Sequence, residues 1–222
     1  GTFGLYTATV GYKFAKRHAA FAGFRYAGGL KVKGFNMLGE PTKDYKPYDW
    51  TIDFGYAYMI GKGFSVYATG SIIFSHLSKN ANGGAFTVGA SYQNNDMTVA
   101  NKSANFMVDA KVAAIGPKLD YGNGYKVSMP THVAVGGALS VDMADKHQVG
   151  AAVSARYFFQ PSETKVFMAG GGLEYTYNNM VSVRAGYEYG DHNLSHFTMG
   201  AGIKYRGLRL NGGYMEMYGC AR

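Results

Sequence analysis

The sequence predicts an all-β protein that folds as an antiparallel transmembrane β-barrel with about 12 strands. Three observations lead to this fold class. Apolar and polar side chains alternate along almost the whole chain, which is the period of a β-strand. The 222 residues include 32 Gly, 19 Tyr and 14 Phe, and only 16% of them are charged, against roughly 25% in soluble domains. No stretch has a capped helical period, and no apolar run approaches the roughly 20 residues of a membrane helix.

The alternation begins in the first strand, 3–14, where apolar residues from Tyr6 to Phe14 alternate with polar or small ones. The segment VGYKFAKRHAAFAGFRY (10–26) indicates a hairpin with the second strand. The pattern recurs in 50–58, 64–74, 85–93, 105–115, 131–143, 147–159, 165–177, 181–189, 197–205 and 208–218. Several of these strands have 9 to 13 residues. Globular strands usually have about 5–6, whereas a barrel strand needs about 9–11 to cross a bilayer.

The apolar face of these strands has no helix to cover it, and we expect it to face lipid. A closed barrel also pairs every backbone N–H and C=O group, as a hydrocarbon environment requires. Aromatic residues near strand ends are typical of the girdles at the two membrane interfaces; here they are Trp50, Tyr58, Phe74, Tyr92, Tyr157 and Tyr189. The alternative is a soluble β-sandwich or lipid-binding barrel, whose apolar face packs on itself.

The opposite face is predicted to line the barrel interior and carries small, polar and charged residues. Its members include Thr7, Thr9, Lys13, Asp53, Arg156, Glu174, Arg184, Glu188 and Lys204. Arg184 and Glu188 lie on one face of one strand, with Glu174 on the strand before it. Lys204 lies on the strand after it, so cross-strand ion pairs are expected. This charge argues against a lumen that accepts a fatty acid along its whole length.

Interior ion pairs of this kind fill and stiffen a barrel rather than open it. We therefore expect the protein to form no large open pore. Recordings across a planar bilayer measure this directly, and stable conductance of the size that porins show would contradict the expectation.

The net charge of +8 and pI of 9.4 raise the question of a nucleic-acid partner. The basic residues are dispersed, as in KFAKRH (13–18) and GLKVKGF (29–35), and are not clustered with stacking aromatics. No nucleic-acid partner is therefore predicted. Membrane lipid and lipopolysaccharide are better candidates for binding this charge, and a merely solvated basic surface is the alternative.

No spacing in the sequence indicates an enzyme, a metal or a cofactor. His192 and His196 are four residues apart, but they lie in a predicted hairpin loop, where that spacing does not place them on one face. The Gly-rich stretch MAGGGLEY (168–175) lacks the pattern of a phosphate-binding loop. A single cysteine, Cys220, excludes a disulfide within the chain. We predict no catalytic residue, cofactor site or metal site.

One segment indicates a family. VAAIGPKLDYGNGYKVSMPTHVAVGGALSV (112–141) resembles PorV/PorQ-family outer-membrane proteins, in which a Gly-Pro-Lys turn ends one strand and a Pro-Thr pair opens the next. The residues that carry the resemblance are Ile115, Gly116, Pro117, Lys118, Tyr121, Pro130 and Thr131. The segments 10–26, 171–189 and 196–215 look like the same family.

The resemblance implies a barrel like the fatty-acid transporter FadL, with fourteen strands, in the outer membrane of a Bacteroidetes-type bacterium. It also implies a role in type IX protein secretion, where the partners are the translocon, the sortase and the C-terminal domain of secreted cargo. Two other hypotheses stand beside this one: a FadL-like transporter of hydrophobic small molecules, and an outer-membrane enzyme that fold analogy alone supports.

Connection lengths predict the topology. Short connections at 15–17, 61–63, 144–146, 179–180 and 206–207 alternate with longer ones at 33–47, 79–84, 117–130, 160–164 and 190–195, and only 94–104 breaks the order. Short turns face the periplasm in such barrels, so the longer loops are expected outside.

Segment 117–130 then becomes the best candidate for partner contact, through Gly116, Pro117, Lys118, Tyr121, Pro130 and Thr131. The alternative is that its Pro and Gly residues only shape a long turn. We treat 1–222 as one barrel domain and expect it to lack an N-terminal region and closing strands, because the resemblance implies fourteen strands and about 12 are counted.

Overall fold

The computed structural model consists of β-strands joined by turns and loops. It describes residues 4–29, 31–35, 38–77, 79–122, 124–163, 165–191, 194–206 and 208–217. Within these ranges, no helix is long and apolar enough to cross a membrane. The prediction of an all-β chain is confirmed.

Within the described residues, twelve strands form one antiparallel sheet, in which each strand pairs with the next member of the sheet along the chain. They are β1 (Gly4–Phe14), β2 (His18–Gly28), β5 (Tyr48–Gly61), β6 (Phe64–His76), β7 (Asn80–Val99), β8 (Lys102–Ile115), β11 (His132–Ala144), β12 (His147–Phe158), β13 (Val166–Tyr177), β14 (Val181–Gly190), β15 (His196–Tyr205) and β16 (Leu208–Met217). The expected number of strands and their order are correct. Most of them are at least as long as the roughly 9–11 residues that a membrane-crossing strand needs.

Two short hairpins were not predicted from the sequence. β3 (Val32–Phe35) pairs with β4 (Pro41–Tyr45), and β9 (Leu119–Asp120) pairs with β10 (Lys126–Val127). Both lie inside segments that the sequence predicts only as long loops. Strands of two to five residues contain too few alternations to be distinguished from a loop.

The connection at 94–104, expected as an exception to the alternation of lengths, is in fact short. β7 continues to Val99 and β8 begins at Lys102, which leaves a two-residue turn. Ala100 (φ 49°) and Asn101 (φ 61°) both have positive φ, as a tight type I′ hairpin requires. The connection expected at 79–84 is also short and occupies 77–79. The assignment of the two ends to opposite sides of the membrane stays a prediction.

The chain divides into two compact units. The first contains the residues up to Met59 together with Val66–Val88 and Val112–Thr131, and the second contains Ile60–Ser65, Gly89–Lys111 and the residues from His132 onward.

In the first unit, the apolar face carries aromatic contacts at both ends of its strands. At one end Tyr26 stacks with Tyr48 at 6.3 Å between ring centroids, and Trp50 stacks with Phe74 at 3.9 Å. At the other end His18 lies against Tyr58 at 5.0 Å. Exposed apolar residues occupy the strands between these contacts: Val10, Phe24, Phe54 and Ile72. This is the arrangement expected of a lipid-facing surface with interfacial girdles.

In the second unit, the register assigns every strand residue to one of two faces. The outer face carries exposed apolar side chains, among them Val133, Val135, Val149, Val153, Leu173, Tyr187, Met199 and Ile203. Val153 is 67% exposed and Leu173 is 65% exposed, although both lie in the middle of their strands. The inner face carries the polar residues predicted for the lumen, including Arg156, Glu174, Arg184 and Glu188.

A two-residue turn of the second unit shows why glycine is needed at one position. Lys62 (φ 48°) and Gly63 (φ 83°) form the turn between β5 and β6. A Cβ atom on Gly63 would lie 1.9 Å from the carbonyl oxygen of Gln93, which no side chain tolerates. The backbone N–H of Gln93 donates to the carbonyl of Gly63 at 2.9 Å, and this fixes the close approach.

Candidate functional site

A row of small residues crosses five strands on the inner face of the second unit. Its members are Ala138, Ala152, Gly172, Gly186 and Thr198, each directly opposite the next in the register. Successive inward residues of one strand are two positions apart, so each row is separated from the next by about 7 Å. Because the side chains of this row are small or absent, the backbone of these strands is exposed to the space above the row.

A cavity of about 540 Å³ lies over this row. Its walls include small residues from β11 to β14 and, from neighbouring strands, Gln93, Asn105 and Met107. The volume is in the range of small-molecule binding sites, about 300–1,000 Å³. The cavity exists because the inward positions are occupied by Gly and Ala where larger side chains would fill the space.

One end of the cavity is bordered by Arg184 and Glu174. Arg184 Nη2 lies 3.2 Å from Glu174 Oε2, which confirms the cross-strand ion pair predicted for these residues. The same nitrogen donates to Asn211 Oδ1 at 3.2 Å and to Ser182 Oγ at 3.3 Å. The guanidinium is therefore held against its neighbours and does not project freely over the small-residue row.

The other end of the cavity is bordered by Glu188 and His196. Glu188 accepts a hydrogen bond from Arg156 and lies 3.8 Å from His196 Nε2. His196 is 9% exposed, and its Nδ1 lies 3.0 Å from the carbonyl oxygen of Leu194. The charged residues are thus paired at two separate levels, with the uncharged row between them. The sequence predicts charges on this face but not their separation into two levels.

The first unit has a different inner face, which is occupied by part of its own chain. Segment 116–131 packs Leu119, Tyr121 and Met129 against Ala81, and these four form its buried apolar cluster. Tyr121 donates to Ser75 Oγ at 2.6 Å, and Ser75 in turn donates to Asp49. A second polar cluster in this unit joins Arg25 to Asp53 by two hydrogen bonds, at 2.8 and 2.9 Å.

The hairpin within segment 116–131 is fixed by its own turn. The backbone N–H of Gly122 donates to Asp120 Oδ1 at 2.8 Å, and this bond holds the pKa of the carboxyl below its ordinary value. Lys126 Nζ lies 3.4 Å from the other carboxylate oxygen and acts in the same direction. Both contacts favour the ionised carboxylate and so the closed turn.

The six residues predicted for partner contact fall into two groups. Gly116, Pro117, Lys118 and Pro130 are exposed. Tyr121 is 7% exposed and Thr131 is 8% exposed, so neither is available to a partner in this arrangement. Partner contact at this segment stays a prediction.

Structural roles account for three of these six residues. Tyr121 anchors the segment to Ser75. Thr131 Oγ1 donates to the carbonyl of Ala114 at 2.9 Å, where β8 has an unusual φ of 56°. A Cβ atom on Gly116 would lie 2.2 Å from the carbonyl oxygen of Gly84, so that position requires glycine. The alternative that this composition shapes a long connection therefore has direct structural support.

Replacing Leu119 tests whether the buried contacts of its side chain hold segment 116–131 in place. In Leu119→Asp, a carboxylate without a partner would be buried against Met129, at a cost of about 3 kcal/mol or more. We expect the segment to detach and to be cleaved by added protease between strands that stay folded. Lys118→Asp, at the exposed neighbouring position, should leave the cleavage pattern unchanged. Equal protection of both variants would show that the apolar cluster does not hold the segment.

Comparison with known proteins gives the same fold. The structure is similar to that of the P. putida toluene transporter TodX, with a TM-score of 0.60 and 12% sequence identity over 94% of this chain and 74% of TodX. It is also similar to the Ralstonia pickettii toluene transporter TbuX, with a TM-score of 0.52 and 14% identity over 89% of this chain and 71% of TbuX. The chain therefore has the FadL-like β-barrel fold. No family model and no curated protein matches the sequence.

These findings support some of the expectations from the sequence and leave others without support. The FadL-like fold is confirmed, and the similar structures are those of toluene transporters. The more specific resemblance to PorV and PorQ, with its type IX partners and its Bacteroidetes source, gains no support from them.

The sequence predicts no metal site at His192 and His196, and the structure describes only the second of these residues. His196 lies on the inner face beside Glu188, and His192 lies outside the described residues. Within the described part of the chain, no three His, Cys, Asp or Glu residues are grouped as a metal site would need.

Proposed function

We propose that this protein is an outer-membrane transporter that passes small hydrophobic molecules. The observation that carries the proposal is the 540 Å³ cavity over the small-residue row of Ala138, Ala152, Gly172, Gly186 and Thr198. Water gains little from Gly and Ala side chains, so an apolar solute displaces it there at low cost. The toluene transporters that share this fold support the same class of solute.

The charged residues of the inner face do not oppose such a solute, because they are paired with one another. Arg184 is engaged by Glu174, Ser182 and Asn211, and Arg156 by Glu188. A hydrophobic solute in the cavity meets the uncharged row and does not have to strip water from isolated ions.

Residence in the outer membrane is part of the proposal, and membrane lipid is its first partner. The exposed apolar residues of the second unit are explained if lipid covers them, since such surfaces are rare on soluble proteins. Aromatic contacts at both ends of the first unit's strands suit the two headgroup regions, including that of lipopolysaccharide.

Uptake by whole cells tests the function. Bacteria that lack a hydrocarbon channel would express the protein, and the initial rate of [¹⁴C]toluene uptake would be compared with that of cells expressing a porin at the same level. We expect faster toluene uptake with this protein and no faster entry of a charged sugar phosphate. Uptake equal to that of the porin control would contradict the proposed function.

A further inference from the structure

The end of the cavity formed by Glu188 and His196 presents two hydrogen-bond acceptors to the space above the small-residue row. The Nδ1 atom of His196 lies 3.0 Å from the carbonyl oxygen of Leu194. Since a carbonyl oxygen only accepts, Nδ1 carries the proton and donates it. In the neutral imidazole the Nε2 atom is then an acceptor.

The second acceptor is the carboxylate of Glu188. One of its oxygens accepts from Arg156, which approaches from outside the cavity lining. The other, Oε1, lies 3.8 Å from His196 Nε2, too far for a direct hydrogen bond. Both residues line the cavity. Two acceptors at this spacing are suited to a single group that lies beside both of them and donates hydrogen bonds.

The space beside these acceptors limits the size of the rest of the ligand. Glu188 and Arg184 are four residues apart on β14, a separation of about 13 Å along the strand. Between them lies Gly186, and Gly172 is directly opposite it on β13. Without Cβ atoms, these two residues form a flat surface that a planar ring can contact closely. One aromatic ring fits between the two charged levels, whereas a long chain would extend over Arg184.

We infer that the cavity binds a monoaromatic molecule that carries one hydrogen-bond-donating substituent, an amino or hydroxyl group. The ring lies on Gly172 and Gly186, and the substituent donates to Glu188 and His196. An amino group has two N–H donors and can satisfy both acceptors, whereas a hydroxyl satisfies one. The inference rests on the proposed function, and it gives the transporter a preference for polar-substituted rings over plain hydrocarbons.

Three probes of nearly identical shape test the inference: p-xylene, p-cresol and p-toluidine. Their affinities for the whole detergent-solubilised protein would be measured by calorimetry at neutral pH, where the amine is uncharged. We expect p-toluidine and p-cresol to bind about tenfold more tightly than p-xylene, since their hydrogen bonds reach an ionised group. Equal or tighter binding of p-xylene would overturn the inference.

Two variants of β15 locate the effect. His196→Phe removes an acceptor and keeps a ring of similar size, and it should reduce the advantage of p-toluidine to about threefold or less. Met199→Phe, three positions along the same strand, introduces the same residue on the outer face, where the Met199 side chain is 50% exposed and outside the cavity lining, and it should keep the full advantage. Unchanged p-xylene affinity in both variants shows that the cavity is intact. A full advantage in His196→Phe would overturn the inference.

The two proposals can fail separately. If none of the three probes binds but cells take up toluene, the cavity assignment is wrong and the transport function stands. If p-toluidine binds preferentially but expression does not speed uptake, the site is real and the transport function is wrong.

Discussion

Replacing Ala152 with tryptophan is expected to reduce toluene uptake at least tenfold. Ala152 lies at the centre of the small-residue row, between Ala138 and Gly172, and its side chain is exposed to the cavity. An indole at this position occupies the space that the solute needs, and the backbone of neighbouring strands prevents it from moving aside. The initial uptake rate in whole cells, normalised to the amount of folded protein, measures the effect.

A second alanine on the same strand provides a matched control. Ala155 pairs with Val135 and Ala169 on the outer face and lies outside the cavity lining, so an indole there meets lipid and not solute. Ala155→Trp should transport toluene at the normal rate. If the two tryptophan variants lose uptake equally, the loss comes from disturbed folding, and the cavity is not the route.

The faces of the strands could be predicted from the sequence because the period of a strand is independent of what surrounds it. Once Val181, Val183 and Ala185 were placed on one face, Ser182 and Arg184 had to lie on the other, and the register agrees. The ion pair between Arg184 and Glu174 follows from the same parity, because adjacent strands joined by a short turn bring these residues opposite each other.

The cavity could not be predicted in the same way, although a signal for it exists in the sequence. Ala138, Ala152, Gly172 and Gly186 all have inward parity, which alternation alone reveals. Their alignment into one row depends on the register between strands, and that depends on the length of each turn. A shift of one turn residue would place Gly172 opposite a different partner and change its face.

Segment 116–131 shows a second limit of sequence reasoning. Its Pro and Gly residues predict a long connection, and long connections are expected on the surface. Leu119, Tyr121 and Met129 are instead buried on the inner face of the first unit. A turn with positive φ at Gly122 and Gly124 separates Tyr121 from Met129, so no unbroken alternation marks the three side chains as one apolar surface.

Val153→Arg is expected to destabilise the folded protein in lipid vesicles by about 2–4 kcal/mol. Val153 lies midway along β12 on the outer face and is 67% exposed, so in a membrane its side chain meets the centre of the hydrocarbon. Ser154→Arg, at the adjacent position on the inner face, places the same charge in the lumen near Glu188 and should cost less than about 1 kcal/mol.

Urea titration followed by the fluorescence of Trp50, the chain's single tryptophan, compares the free energies of unfolding. Because the two positions are neighbours on one strand, a difference between them reports the medium that each face meets. Equal losses in both variants would mean that the outer face is not in contact with lipid, and the membrane-spanning role of β12 would then have to be abandoned.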